Sequence, residues 1–226
     1  IGQEVIEETN SSITIKDLLK PAELPFNSTI KRMHLIIKVM HEDAMNALQT
    51  NNKKIAEEVV TRDNEIDRLH WLVARQHNII LQNMSLAEKL NMTIVMTSTI
   101  FLISRILERI GDHVVRIAQN ITHLIDSDLD KRISDKIQLA SNHALNIVNK
   151  SIGAFLRKDI HASNKNIEET KKLEAICGEI NELALIEKGT IAISIGYIVE
   201  SIRRIAEYAE DISETAINYL VGEEGK

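Results

Sequence analysis

Glu108, Asp112 and Arg116 recur every four residues in the stretch ILERIGDHVVRIAQNI, residues 106–121. In a helix that spacing stacks three polar side chains in one stripe among isoleucines and valines. A second pair of carboxylates, Asp63 and Asp67 in RDNEIDRL, has the same four-residue step. If the two helices that carry these pairs pack side by side, four carboxylates meet at one place. Such a cluster repels itself unless a cation neutralises it, and its hard oxygen donors suit a divalent or ferric ion. Carboxylates one turn apart also occur in di-iron helical bundles, but those add a Glu-x-x-His signature that is lacking here; Asp67 with His70 is a faint echo of it. The plainer reading is a solvated helix face on which Arg109 and Arg116 neutralise Glu108 and Asp112 locally.

Other chemistry finds little to build on. There is no glycine-rich phosphate loop, no nucleophile elbow and no His-Glu-x-x-His. The 8 histidines are scattered, with only weak pairs such as His34 and His41, and they read as surface or boundary residues. Cys177, the single cysteine, excludes an internal disulfide framework, fits a reducing cytoplasm, and reads as a packed small side chain rather than a nucleophile. These features predict a protein that is not an enzyme. A net charge of −6 argues against nucleic-acid contact by this chain, because phosphate contacts need clustered Lys and Arg. No apolar run approaches the roughly 20 residues that cross a bilayer. The longest candidate, IAISIGYIVESI, is broken by Ser194, Gly196 and Glu200. A cytoplasmic protein without membrane insertion is expected, and the start at Ile1 rather than Met suggests a preceding piece.

The elements that must position the carboxylates are helices. Glycine (8) and proline (2) are scarce and aromatics make up 3% of the 226 residues. Residues 1–20 differ from the rest: EVIEETNSSITIKDLL alternates around the turn-prone TNSS and predicts a short β-hairpin. After Pro21 and Pro25, six helices are predicted at about 27–50, 52–83, 86–126, 132–158, 159–187 and 190–221, separated by short polar breaks at QTNN, NMS, DSDLD, RKD and EKG. Short breaks imply antiparallel neighbours. On the third helix Met96, Ile100, Ile103, Leu107, Ile110, Val114, Ile117, Ile121 and Leu124 form a seam at alternating steps of four and three. Relative to that seam, Glu108, Asp112 and Arg116 fall on an outer face.

The design repeats. Shifted by 95 residues, LERIGDHVVRI lies over IRRIAEYAEDI, so that Glu108, Asp112 and Arg116 meet Arg203, Glu207 and Asp211. Shifted by 107, the second helix lies over the fifth, and Asp63, Asp67 and His70 meet Thr170, Glu174 and Cys177. The prediction is an all-α fold of two tandem antiparallel three-helix bundles: a linker segment at 1–26, a first unit at 27–128 and a second at 129–226.

The run Glu108-Arg109-Ile110-Gly111-Asp112, paired with Asp63 and Asp67 on the helix before it, resembles the mark of the PhoU family of phosphate-uptake regulators. The resemblance spans about residues 27–221. It implies a non-enzymatic regulator of phosphate uptake or phosphate-responsive signalling, a helical adaptor whose partner is a phosphate transporter or a signalling protein, and a homo-oligomer such as a dimer. It further implies iron, zinc or manganese on outward carboxylate pairs: Asp63, Asp67, Glu108 and Asp112 in the first unit, and by position Glu174, Glu207 and Asp211 in the second. Two departures stand out: Arg116 where the family often carries Asn, and a second motif reduced to Arg203, Glu207 and Asp211. The leading hairpin resembles archaeal PhoU-like proteins in which an AbrB-like DNA-binding domain precedes the helices, so contact with DNA is expected only through such a domain. Metal handling as the main role, and a structural dimerisation module for DNA-binding heads, are the alternative readings.

Overall fold

A computed structural model of the protein describes residues 3–8, 13–17, 25–125, 127 and 129–224. The predicted hairpin forms: β1 (Gln3–Glu8) pairs antiparallel with β2 (Ile13–Asp17), Gln3 opposite Asp17 and Glu8 opposite Ile13, with an irregularity between Val5 and Glu7. The TNSS turn between the strands lies outside the described residues.

Seven helices follow among the described residues: α1 (Phe26–Thr50), α2 (Lys53–Gln82), α3 (Met84–Lys89), α4 (Ile94–Leu124), α5 (Lys131–Arg157), α6 (Ile160–Ala184) and α7 (Gly189–Glu224). Their ends are set by capping chemistry. The Asn52 side chain accepts from the backbone N–H groups of Lys54 and Ile55, Thr93 from Met96, Asp130 from Arg132 and Asp159 from Ala162. Each satisfies a donor that the first turn leaves open, worth about 1 kcal/mol per cap. At the other ends Asn51 and Lys158 adopt left-handed backbone (φ 50° and 57°) and return their N–H groups to the preceding turn. The predicted third helix, 86–126, is corrected here. It is two helices, because Asn91 takes a positive φ of 50° and Thr93 caps a fresh start at Ile94.

The helices form two three-helix bundles, α1–α2–α4 and α5–α6–α7, joined mainly where α4 packs on α7, with α1 against α5 behind. One hydrophobic core runs through both. Burial follows the duplication. At a shift of 95, Ile100, Ile103, Leu107, Ile110, Val114, Ile117 and Ile121 on α4 coincide with Ile195, Ile198, Ile202, Ile205, Ala209, Ile212 and Ala216 on α7, all buried. At a shift of 100, Met33, Ile37, Met40, His41, Ala44 and Leu48 on α1 coincide with Ile133, Ile137, Ala140, Ser141, Ala144 and Val148 on α5, again all buried. Burying one such side chain stabilises by about 1.5–3 kcal/mol, and the repeated seams contribute many of them to the shared core.

His41 and Asn166 are among the polar residues that interrupt this core. His41, read from the sequence as a boundary residue, is only 1% exposed. Its Nε2 donates to the Ser141 carbonyl at 3.1 Å, and Ser141 Oγ stands against the same nitrogen. His34, about two turns away, donates its Nε2 proton instead to Asn149 Oδ1 at 2.7 Å, so the two histidines are separate ties between α1 and α5 and not a ligand pair. In the second bundle Asn166 Nδ2 donates to the Ile147 carbonyl (3.0 Å) and to Ser151 Oγ (2.6 Å), while Ser151 Oγ also bonds Ala209 O and lies 3.0 Å from Ser213 Oγ. Asn166 Oδ1 is buried and has no hydrogen-bond partner.

Candidate cation site

α2 and α4 pack side by side, so the condition for bringing the two carboxylate pairs together is met. The contact is close because residue 111 has no side chain. A Cβ there would stand 2.9 Å from Asp63 Oδ1 and 2.9 Å from Ile66 Cδ1. The glycine of the Glu-Arg-Ile-Gly-Asp run therefore seats the Asp63 carboxylate directly on the α4 backbone. Asp67 and Glu108 flank it, half-buried, and Asp112 is more exposed.

The expected outer face is thus the edge of a helix–helix seam, and its electrostatics show it. Burial, then repulsion by Asp67, Asp112 and Glu108, raises the Asp63 carboxyl to about 6. Glu108 is raised by burial and then by Asp112 and Asp67, and Asp112 by burial and then by Asp67. Burial first, and mutual repulsion after it, disfavour the charged forms, and a bound cation relieves that penalty. Local neutralisation by Arg109 and Arg116, the plainer reading of the stripe, is weak. Arg105 and Arg109 offset Glu108 only in part, and Arg109 and Arg116 offset Asp112 only in part. The two arginines lean instead over rings of α7, Arg109 at 5.9 Å from the Tyr208 centroid and Arg116 at 5.9 Å from that of Tyr197.

The donor set is all hard oxygen and suits a divalent or ferric ion. In the present rotamers no three His, Cys, Asp or Glu side chains among the described residues converge tightly enough to hold one, so binding requires these side chains to change rotamer. His70, three residues from Asp67, is turned to other partners: Nδ1 lies 3.1 Å from Ser104 Oγ and the ring stacks on Phe101.

The second unit places its acids differently. Glu174 Oε1 is 3.0 Å from Arg203 Nε, an ion pair by distance without hydrogen-bond alignment. Glu207 Oε2 accepts from Arg204 Nη1 at 2.7 Å. Asp211, one turn on from Glu207, lies in a groove of about 310 Å³ between α4 and α7 shared with Arg105, Arg109, Tyr208 and Glu214. Sequence reading misses these arginine pairs, although Arg204 lies four residues from Glu200 and three from Glu207, which is ion-pair spacing on a helix.

Replacing Gly111 by alanine tests the seat. Helix propensity favours the change by about 0.5–1 kcal/mol, but Ile66 is fully buried and overpacking against it costs about 1–3 kcal/mol. Gly111→Ala is therefore expected to lower the melting temperature by a few degrees and to weaken Mn²⁺ binding at least tenfold by isothermal titration. Unchanged stability together with unchanged binding would contradict the arrangement.

The sequence profile of the PhoU domain matches residues 30–121, the segment that holds both carboxylate pairs. The phosphate-specific transport system accessory protein PhoU homolog 1 of Thermotoga maritima is 22% identical over 206 residues, covering 88% of this chain and 87% of that protein. The crystal structure of PhoU from Pseudomonas aeruginosa superposes with a TM-score of 0.77 at 20% identity, over 87% of this chain and 96% of that one. The phosphate transport system regulatory protein PhoU from Streptococcus pneumoniae gives 0.73 at 18% identity, over 92% and 97%. These structures share the fold.

Proposed function

We propose, from the match to the PhoU domain at residues 30–121, that this chain is a non-enzymatic accessory regulator of a phosphate transport system. The observation that carries this reading is the intact Glu108-to-Asp112 run inside the matched segment, with Gly111 beneath Asp63 as the contact requires. The chain acts as a rigid helical adaptor in the cytoplasm, docking on the transporter or its signalling partner and assembling as a homo-oligomer. No helix among the described residues is long and apolar enough to cross a membrane, so contact with a transporter is made from its surface. Deleting the gene in its own host and measuring phosphate uptake at high external phosphate tests the role. Uptake that is no longer restrained is expected, and uptake identical to the parent strain would overturn it.

The carboxylates belong to the same proposal. Asp63, Asp67, Glu108 and Asp112 hold iron, zinc or manganese, and the ion neutralises the cluster and fixes α2 to α4. Protein purified without chelator or nickel is expected to contain metal by elemental mass spectrometry, lost in Glu108→Ala/Asp112→Ala. Equal metal content in the two proteins would remove the cation from the reading.

A further inference from the structure

We infer that the second bundle supplies its own cation, the Arg203 guanidinium, in place of a bound metal, so that the chain takes metal only at the first. The inference rests on the cation reading of the first bundle. Under the helix correspondence Arg203 stands where Glu108 does, Glu174 where Asp67 does, Glu200 where Arg105 does and Glu207 where Asp112 does. A carboxylate and a guanidinium have thus exchanged places about the same seam.

The contacts agree with that exchange. Arg203 Nε lies 3.0 Å from Glu174 Oε1, and its Nη1 lies 3.4 Å from Glu200 Oε2. Glu200 Oε1 accepts from Arg204 Nε at 3.0 Å, and Arg204 reaches on to Glu207. Glu174, Glu200 and Glu207 therefore each meet an arginine, whereas none of Asp63, Asp67, Glu108 and Asp112 forms an ion pair among the described residues. The seat has gone too. Ala206 fills the position of Gly111 with a buried methyl group, and the position of Asp63 is held by Thr170, a shorter side chain whose hydroxyl donates to Glu210 Oε2 at 3.0 Å. A divalent ion entering here would have to displace a positive charge from its carboxylates and would find no carboxylate over the backbone. The donor set does not fit a metal.

Restoring and transferring the pattern tests this. Glu108→Arg places the second bundle's guanidinium in the first; Thr170→Asp/Arg203→Glu/Ala206→Gly copies the first bundle's acids and glycine into the second. Mn²⁺ stoichiometry by titration and the Mn²⁺-induced rise in melting temperature are measured for wild type, for Glu108→Arg and for Glu108→Arg carrying the triple change, with circular dichroism confirming that each is folded. One set of sites is expected in wild type, none in Glu108→Arg, and recovery in the combined variant. Arg203→Gln in the Glu108→Arg background serves as a milder change if the triple variant does not fold, and partial recovery of binding is expected from it. Binding that survives Glu108→Arg and disappears on Glu174→Ala/Glu207→Ala overturns the inference and leaves a cation role intact. Wild-type protein that takes up no Mn²⁺ and shows no thermal shift overturns both.

Discussion

Lowering the pH from 7 to about 4.5 should remove on the order of 3 kcal/mol of stability through one residue, His41. Burial holds its imidazole down to about 4 against an ordinary 6.5, and the hydrogen bond to Ser141 offsets only part of that effect. Folded protein keeps the ring neutral through this interval while the unfolded chain takes up a proton below about 6.5. The unfolded state binds more protons, so the contribution is complete above pH 6.5 and is lost as the pH falls towards 4. His34, His70 and His113 are shifted the same way by burial, whereas the raised Asp63, Glu108, Asp112 and Asp211 act in the opposite sense. The residue-specific effect is therefore read as a difference. Urea denaturation of wild type and His41→Gln at intervals between pH 7 and 4.5 should show a steeper decline for wild type. Parallel curves would mean that His41 is hydrated or already charged in the fold.

The second large effect is expected at Asn166. Asn166→Asp replaces two donated hydrogen bonds with a buried carboxylate facing the Ile147 carbonyl, and should cost about 3 kcal/mol or more. For a chain of this size that corresponds to a fall in melting temperature of roughly 10 °C. The contrasting variant is Ser151→Ala/Asn166→Val/Ser213→Ala. On the helix correspondence the first bundle carries Val59 and Ala118 at the positions of Asn166 and Ser213, both fully buried. Removing donors and acceptors together leaves little unsatisfied, and the orphan Asn166 Oδ1 disappears with them. The triple variant should lie within about 1 kcal/mol of wild type. A loss as large as that of Asn166→Asp would show that the network holds the second bundle's register.

Much of this architecture is legible in the sequence, and the places where it is not have physical causes. The α4 seam is legible because nine apolar residues keep the heptad step without interruption, and the duplication is legible from the same seam in α7. The break before α4 is hidden because it uses neither glycine nor proline. Asn91 makes the turn with its own positive φ, and Thr93 caps the next helix. The carboxylate stripe reads as an outer face as long as a single seam accounts for the helix. α4 has three neighbours, α1, α2 and α7, so a position turned from one core borders another. The role of Gly111 is visible only once Asp63 is seen across the seam. The ion pair of Arg203 with Glu174 needs the rotation of α6 against α7, which no spacing along one helix specifies.

His41 and Ser141 hold equivalent places in the two halves, one hundred residues apart, and meet each other at the join. In a complex of two identical subunits, residues that meet on the dyad must be the same on both sides. Two histidines there would each need a carbonyl to donate to, and two serines would leave the space of an imidazole unfilled. Linking both halves in one polypeptide removes that constraint, so a donor and its acceptor can be encoded separately and become a matched pair. The same freedom lets Glu108 and Arg203 differ, giving one half an unpaired acidic surface and the other a self-neutralised one. The molecule is then a heterodimer within a single gene product, with two outward faces that present different charge to whatever approaches them.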